Sequence, residues 1–160
     1  MAIEFITEDG TSKTTSTSYA TVAQFVQYWE NRGTFFSDSE NIIKGWLNQA
    51  TDWLDSNYNF KGYVTSTTQA LKWPRSDMVN CSGINVDNDE IPTELLNSVC
   101  YLAAQVKDAD LNQVDSGVKS ERYGPVSTTY SNSSDSVSYP AVDKLLKCFI
   151  ITGPGLVRVN

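Results

Sequence analysis

The chain has 160 residues, 12 Lys and Arg against 19 Asp and Glu, a formal charge of −7 and no histidine. A length of this size predicts one domain with one core, spanning residues 1–160. The absence of histidine excludes Ser-His-Asp and Cys-His catalysis and His-ligated metals, and the acidic balance argues against a surface that is basic throughout, so we expect no enzyme activity and no cofactor.

The N-terminal residues 1–18 are expected to form a mobile segment, because the stretch EDGTSKTTSTS at 8–18 is polar and has no apolar periodicity to anchor it. The first residues contain no basic region followed by an apolar run. No segment reaches the ~20 apolar residues that cross a membrane. We therefore expect an intracellular protein that does not contact a membrane.

Two helices are predicted next along the chain. Thr21 and Gln24 have the spacing of a capping box, and apolar residues then recur on one helical face over 22–32. The second helix, which Ser37 or Asp38 would cap, has apolar residues that recur with helical period: Ile42, Ile43, Trp46, Leu47, Ala50, Trp53 and Leu54.

The second half of the chain begins with a break in periodicity. Residues 61–91 are rich in Gly, Pro, Asn and Asp, which predicts an irregular connection. Pro92 suits the first turn of a third helix that ends near Asp110, and Pro140 opens a short fourth helix.

Two extended segments complete the prediction. Residues 117–130 alternate in polarity on either side of a Gly-Pro step, which predicts a β-hairpin or extended arm. Residues 150–160 contain a Gly-Pro-Gly sequence and β-prone ends, which predicts an extended tail. The predicted fold class is therefore mainly α: a four-helix domain with a small β-hairpin or extended arm and an extended C-terminal tail.

The sequence shows no clear catalytic or metal site. Cys81, Cys100 and Cys148 are widely spaced and form no CxxC, so we expect reduced thiols, with Cys100 and Cys148 as small core residues. The carboxylates at 87–90 lack the spacing of a calcium loop and are expected to be solvated. No metal is predicted.

Basic and aromatic residues interleave in the segment Lys72-Trp73-Pro74-Arg75. Rings beside cations can bind single-stranded nucleic acid by stacking on its bases. The alternative is that Trp73 holds the long connection onto the helices while Pro74 fixes its exit. We favour the alternative, because two cations neutralise few phosphates.

Several segments form a set when they are taken in chain order: SYATVAQFVQYWENRG at 18–33, QALKWPRSD at 69–77, Ile91-Pro92, SERYGPVSTTY at 120–130 and a final Leu-Leu helix. This set resembles the head-tail connector proteins of tailed phages, a family also labelled DnaT-like single-stranded-DNA-binding. Its most specific residues are Trp73, Pro74 and Arg75 with Ile91 and Pro92. The chain departs from the pattern at Asp77, where we expect Gly.

The resemblance implies a structural role in the virion. Subunits of the family, commonly twelve, form a ring beneath the portal protein, extend the DNA channel and present a surface to tail or tail-completion proteins. Double-stranded DNA would pass through an acidic ring without specific binding. The protein would reach the phage neck from the host cytoplasm. The alternatives are a DnaT-like single-stranded-DNA-binding protein and a tail-completion or terminator subunit.

Two contact segments follow from this interpretation. Residues 137–160 carry three basic side chains and one acidic side chain, so the tail is expected to dock onto an acidic portal rim and to add strands to exposed edges. Its candidate residues are Phe149, Ile150, Ile151, Leu156, Val157, Arg158 and Val159. The arm is expected to contact adjacent subunits or to line the face of the ring that points to the phage tail. Its candidate residues are Val118, Glu121, Arg122, Tyr123, Val126 and Tyr130.

Overall fold

The structure is a computed structural model that describes residues 2–112, 120–123, 126–129 and 137–151. Four helices and three antiparallel pairs of short strands, β1–β2, β3–β4 and β5–β6, make up its regular structure. Their order is α1 (Val22–Glu30), α2 (Glu40–Asn57), β1 (Tyr63–Val64), β2 (Arg75–Ser76), β3 (Met78–Val79), β4 (Asn85–Val86), α3 (Thr93–Asp108), β5 (Ser120–Tyr123), β6 (Val126–Thr129) and α4 (Pro140–Leu146).

The first helix begins where the capping box predicts it. Thr21 Oγ1 accepts a hydrogen bond from the Gln24 backbone N–H at 3.1 Å, and Gln24 Oε1 accepts one from the Thr21 N–H at 2.8 Å. α2 begins after Ser39, slightly later than predicted, and Ser39 makes no side-chain capping bond. The Asp38 carboxylate instead accepts a hydrogen bond from Lys107 Nζ of α3 at 2.8 Å.

The core lies where α2 packs on α3 and α3 packs on α4. A group of aromatic rings joins α1 to this core. The centroid of the buried Phe25 ring lies 5.0 Å from that of Phe36 and 6.3 Å from that of Trp46. The helical period predicted for the second helix is confirmed, except at the exposed Ile42, by the side chains that α2 buries, which are Ile43, Trp46, Leu47, Ala50, Thr51, Trp53 and Leu54.

The predicted fold class, mainly α with an irregular connection at 61–91, is wrong. Two antiparallel strand pairs, β1–β2 and β3–β4, lie inside that connection, so the protein is a mixed domain. Strands of two residues are too short to show a period-two pattern in the sequence. Gly62 and Asp77 have φ of +63° and +60° beside these strands. Asp tolerates this left-handed region better than most residues, which explains how Asp77 can stand where Gly was expected.

The N-terminal segment has an anchor that the sequence did not reveal. The buried carboxylate of Glu8 accepts four hydrogen bonds of 2.9–3.0 Å, from the backbone N–H groups of Gly10, Ser12 and Lys13 and the hydroxyl of Ser16. A charged acceptor with several donors forms strong hydrogen bonds. The anchor is polar, so apolar periodicity gave no sign of it.

The predicted hairpin is present in the backbone as β5 paired with β6, in a register that runs from Ser120 opposite Thr129 to Tyr123 opposite Val126. The side chains of Glu121, Arg122, Tyr123 and Val126, and the whole of Val118 and Tyr130, lie outside the described residues. The contact role expected of this arm therefore stays a prediction.

Two of the three cysteines form a disulfide, so the expectation of reduced thiols is wrong for Cys81 and Cys148. Their Cα atoms lie 5.3 Å apart, and the bond joins the turn between β3 and β4 to the chain that follows α4. A separation of 67 residues hides this pair from local sequence patterns. Cys100 is free and buried, and burial raises the pKa of its thiol to about 12. It is a core residue, as predicted.

Reduction of the Cys81–Cys148 disulfide is expected to lower the free energy of unfolding by about 4 kcal/mol, because the bond closes a long loop in the unfolded chain. Denaturant titration with and without a reductant measures the difference. The Cys81→Ser/Cys148→Ser variant should match the reduced protein and should not respond to reductant. A wild-type unfolding midpoint that reductant leaves unchanged would contradict this prediction.

Candidate functional site

Trp73 lies in the core and not on the surface. Its side chain is 0% exposed, and its ring packs edge-on against Phe60 and Phe149 with both centroid distances at 5.6 Å. Its backbone N–H donates to the Tyr19 hydroxyl at 3.2 Å, and its peptide bond to Pro74 is cis. This ring cannot stack on a nucleobase. It holds the long connection against the chain that follows α4.

The guanidinium of Arg75 also points inward. It donates hydrogen bonds to four backbone carbonyls: those of Lys61 (2.7 Å), Gly62 (2.9 Å), Lys72 (3.1 Å) and Phe60 (3.5 Å). The planar fork of arginine suits this task, because it presents five N–H donors in a fixed arrangement. Arg75 thus fastens residues 60–62 to the segment that carries Trp73, and four of its five N–H donors are engaged inside the protein.

A buried polar group centred on Asp55 of α2 lies beside this motif. The Asp55 carboxylate accepts hydrogen bonds from the Tyr19 hydroxyl at 2.7 and 2.9 Å and from the Lys72 backbone N–H at 3.1 Å. Burial raises the pKa of Asp55, and the hydrogen bond from Tyr19 opposes that rise. Burial, together with the Asp55 charge, also raises the pKa of Tyr19. These bonds fix the backbone from which the Lys72 side chain extends.

A group of lysines converges outside this framework, and we call it the lysine face: Lys61, Lys72, Lys144 and Lys147. The backbone N–H of Lys61 donates to the Phe149 carbonyl at 2.8 Å, and its Nζ donates to the Cys148 carbonyl at 3.0 Å. Lys61 therefore lies beside the end of α4. Lys144 and Lys147 are three residues apart on α4 and its C-cap, which brings them to one side of the helix.

Lys72 joins the lysine face through Tyr58. Its Nζ donates to the Tyr58 carbonyl at 2.8 Å, and the Tyr58 hydroxyl donates to Asp143 of α4 at 2.6 Å. Two carboxylates lie beside these segments, and each of them, Asp55 and Asp143, accepts a hydrogen bond from a tyrosine hydroxyl. Four lysines against two carboxylates leave an excess of positive charge.

The lysine face differs from the other lysines of the described residues in its ion pairing. None of its four members has an ion pair there, whereas Lys13 pairs with Asp9, Lys44 with Glu40 and Lys107 with Asp38. Lys61, Lys144 and Lys147 are exposed and Lys72 is half-buried. These charges are consequently open to an external anion.

Acidic residues collect in a different place. An open groove of about 700 Å³ between the N-terminal segment and the loop before α3 is lined in part by Asp9, Asp87, Asp89 and Glu90. Within the described residues, no group of three or more metal-ligating side chains could hold a metal ion. No helix there has the length and apolar character needed to cross a membrane. The charge of the groove is negative, opposite to that of the lysine face, so the groove repels polyanions.

The candidate docking residues of the tail begin in the core. Phe149 is 1% exposed and packs on Trp73, contrary to its expected role in docking. Ile150 forms a β-bridge with Phe60, and the Ile151 N–H donates to the Asn59 carbonyl at 2.9 Å. Ile151 is exposed. Outside the described residues lie Leu156, Val157, Arg158 and Val159.

Comparison with known proteins covers almost the whole chain. A protein-family model with the description "Putative DnaT-like ssDNA binding protein" matches residues 3–159. The chain belongs to this DnaT-like family. No curated protein and no solved structure matches it.

The motif of the DnaT-like chain that looked most specific is structural. Trp73, Pro74 and Arg75 are buried, Ile91 is half-buried against the core, and Pro92 is the N-cap residue of α3. Side chains that make contacts inside the domain cannot also serve as an exposed binding surface.

Sequence reasoning missed the lysine face of this DnaT-like protein. Lys144 and Lys147 belong to the basic end of the sequence, but Lys61 lies more than 80 residues before them. The bridge between Phe60 and Ile150 brings the two regions together. No local pattern signals this pairing, because it depends on the tertiary fold.

The Arg75→Lys substitution is expected to lower the free energy of unfolding by about 2–4 kcal/mol, because one ammonium group cannot satisfy all four carbonyls and each unpaired buried group costs about 1–3 kcal/mol. Denaturant titration measures the change. Arg32→Lys is the matched control, since Arg32 is exposed and stacks on the Tyr28 ring at 3.6 Å, and it should cost less than about 1 kcal/mol. Equal losses in both variants would contradict the structural assignment of Arg75.

Proposed function

We propose that this protein binds single-stranded DNA through the lysine face and performs no catalysis. The observation that carries the proposal is the convergence of four lysines without ion-pair partners, among the described residues, in a chain with a net charge of −7. The family description supports single-stranded DNA as the ligand. The lack of histidine in the chain supports a role without catalysis.

The size of the lysine face sets the expected strength of binding. Four lysines can neutralise about four phosphates, so the logarithm of the binding constant should fall with the logarithm of salt concentration with a slope of about −3 for a single strand. The acidic groove repels a polyanion, which confines the strand to the lysine face. Binding should therefore be modest in strength and steep in its salt dependence.

Trp73 and Arg75, the contacts first considered for DNA, have no part in this proposal because both are buried. Trp46 and Trp53 are buried as well, and Trp29 is half-buried with its indole N–H donating to the Cys100 carbonyl at 3.0 Å. Tryptophan fluorescence is thus a poor reporter of ligand binding in this protein. A labelled oligonucleotide is the better probe.

A second candidate function is the head-tail adaptor that the resemblance implies, a ring of twelve subunits beneath the portal in the phage neck. It is favoured by the position of the last described residue: the Ile151 N–H donates to the carbonyl of Asn59, two residues before Lys61, so the described chain ends beside the lysine face. A basic face at the start of a tail would suit an acidic portal rim. The portal and tail proteins would then be the partners, and duplex DNA would pass without specific binding.

The Lys144→Gln/Lys147→Gln variant tests the first proposal. It should weaken binding of a labelled oligothymidylate in fluorescence anisotropy and reduce the steepness of the salt dependence by about 1.4, because two phosphate contacts are lost. Lys44→Gln/Lys107→Gln changes the charge equally at lysines that have ion pairs, and it should leave the slope unchanged. An equal loss in both variants would show that net charge, and not the lysine face, governs binding.

Deletion of residues 152–160 tests the second candidate. The cut lies beyond the last described backbone pairing, so the protein should keep its helical circular-dichroism spectrum and yet fail to join portal-bearing capsids in a co-sedimentation assay. The unaltered chain is the control. Undiminished joining by the deletion variant would rule out a tail that docks onto the portal.

A further inference from the structure

We propose that Tyr63 is a base-stacking residue beside the lysine face, and that its ring makes the protein prefer single-stranded to double-stranded DNA. This inference rests on the proposed DNA-binding function and adds the group that would distinguish the two forms of DNA. Its starting point is an exposed aromatic ring in a protein whose other described aromatic side chains, apart from Phe35, are buried or half-buried.

The exposure of Tyr63 is unusual for its residue type in the described part of the chain. Its side chain is 62% exposed, whereas Tyr19 and Tyr58 are buried. Three aliphatic side chains in the same connection are also exposed: Val64, Val79 and Ile84. Exposed apolar side chains are therefore frequent in this connection, and Tyr63 is the aromatic one among them.

The position of Tyr63 matches the geometry of a nucleotide. Lys61 is two residues away, so their Cα atoms lie at most about 7 Å apart. A phosphate held by Lys61 would therefore have its base within reach of the Tyr63 ring. The positive charge beside Tyr63 favours single-stranded DNA as the ligand of this surface. A single strand combines phosphates with apolar base faces, whereas an apolar protein surface would leave the four lysines without anionic partners.

The backbone beneath Tyr63 is held in place on both sides. Tyr63 pairs with Ser76 across β1–β2, and the preceding Gly62 carbonyl accepts a hydrogen bond from Arg75 at 2.9 Å. A Cβ at residue 62 would meet the Ser76 carbonyl oxygen, so the strands approach closely at this point. A ring on a fixed backbone loses little freedom when a base stacks on it.

Stacking explains why the ring would select a single strand. Lysines contact phosphates, which single and double strands both have. In a duplex the bases are paired and stacked on each other, and only an unpaired base can lay its face on a protein ring. Loss of one such stacked base typically weakens binding by about 5- to 150-fold. The lysine face supplies attraction to DNA of either form, and Tyr63 supplies the discrimination.

The test compares a labelled oligothymidylate with a duplex of the same length by fluorescence anisotropy. Tyr63→Ala should weaken single-strand binding by about 5- to 150-fold and leave duplex binding unchanged, while Tyr63→Phe, which keeps the ring, should bind like the wild type. Phe35→Ala is the matched control, because Phe35 is 76% exposed and precedes α2, whose other end leads to Lys61. With 18 residues, α2 is about 27 Å long.

The outcomes separate this inference from the function on which it rests. Salt-dependent DNA binding with equal affinity for both forms, or an equal effect of Tyr63→Ala on both, would overturn the role of Tyr63 and leave the lysine face intact. Absence of any salt-dependent binding by the wild type would overturn both. Self-association that Tyr63→Ala abolishes, measured by sedimentation and without an effect on single-strand binding, would assign Tyr63 to a subunit contact and overturn the inference.

Discussion

The hydrogen bonds of the Arg75 guanidinium are the interaction on which the rest of the structure depends. A buried cation is costly unless its donors are satisfied, and here the carbonyls of residues 60–62 and 72 receive them. The arrangement is reciprocal, because those carbonyls lie outside the short strands β1 and β2 and receive their donors from the guanidinium. One side chain thereby fixes the path of a connection that has little regular structure of its own.

The lysine face is a consequence of that fixed path. Once residues 60–62 are held, Phe60 can pair with Ile150 and the Lys61 N–H can reach the Phe149 carbonyl. The Trp73 ring fills the space between the rings of Phe60 and Phe149, and the Cys81–Cys148 disulfide ties the neighbouring turn to the same place. The interior motif therefore builds the surface: buried residues bring together lysines that are distant in sequence, without contacting a ligand themselves.

The helices could be predicted from the sequence because their signals are local. The Thr21 and Gln24 capping box and the apolar period of α2 need only neighbouring residues. The strand pairs β1–β2 and β3–β4, the Glu8 anchor and the disulfide could not be predicted, because they depend on tertiary geometry, on strands of only two residues or on polar bonds that leave no periodic pattern. The same limit applies to the site. The sequence shows Lys144 and Lys147 as part of a basic C-terminal region, but the contact of that region with Lys61 depends on the fold.

The two proposed functions make opposite demands on the surface beside the lysine face. A single strand needs the Tyr63 ring open to solvent, because a base must slide onto it. A portal rim that docks there would cover the ring and the neighbouring aliphatic side chains, and its acidic groups would take the place of phosphates. Charge alone does not separate these cases, since both partners are anionic. The discriminating property is the chemistry of what lies next to the charge: a flat, unpaired base in one case and a folded apolar surface in the other.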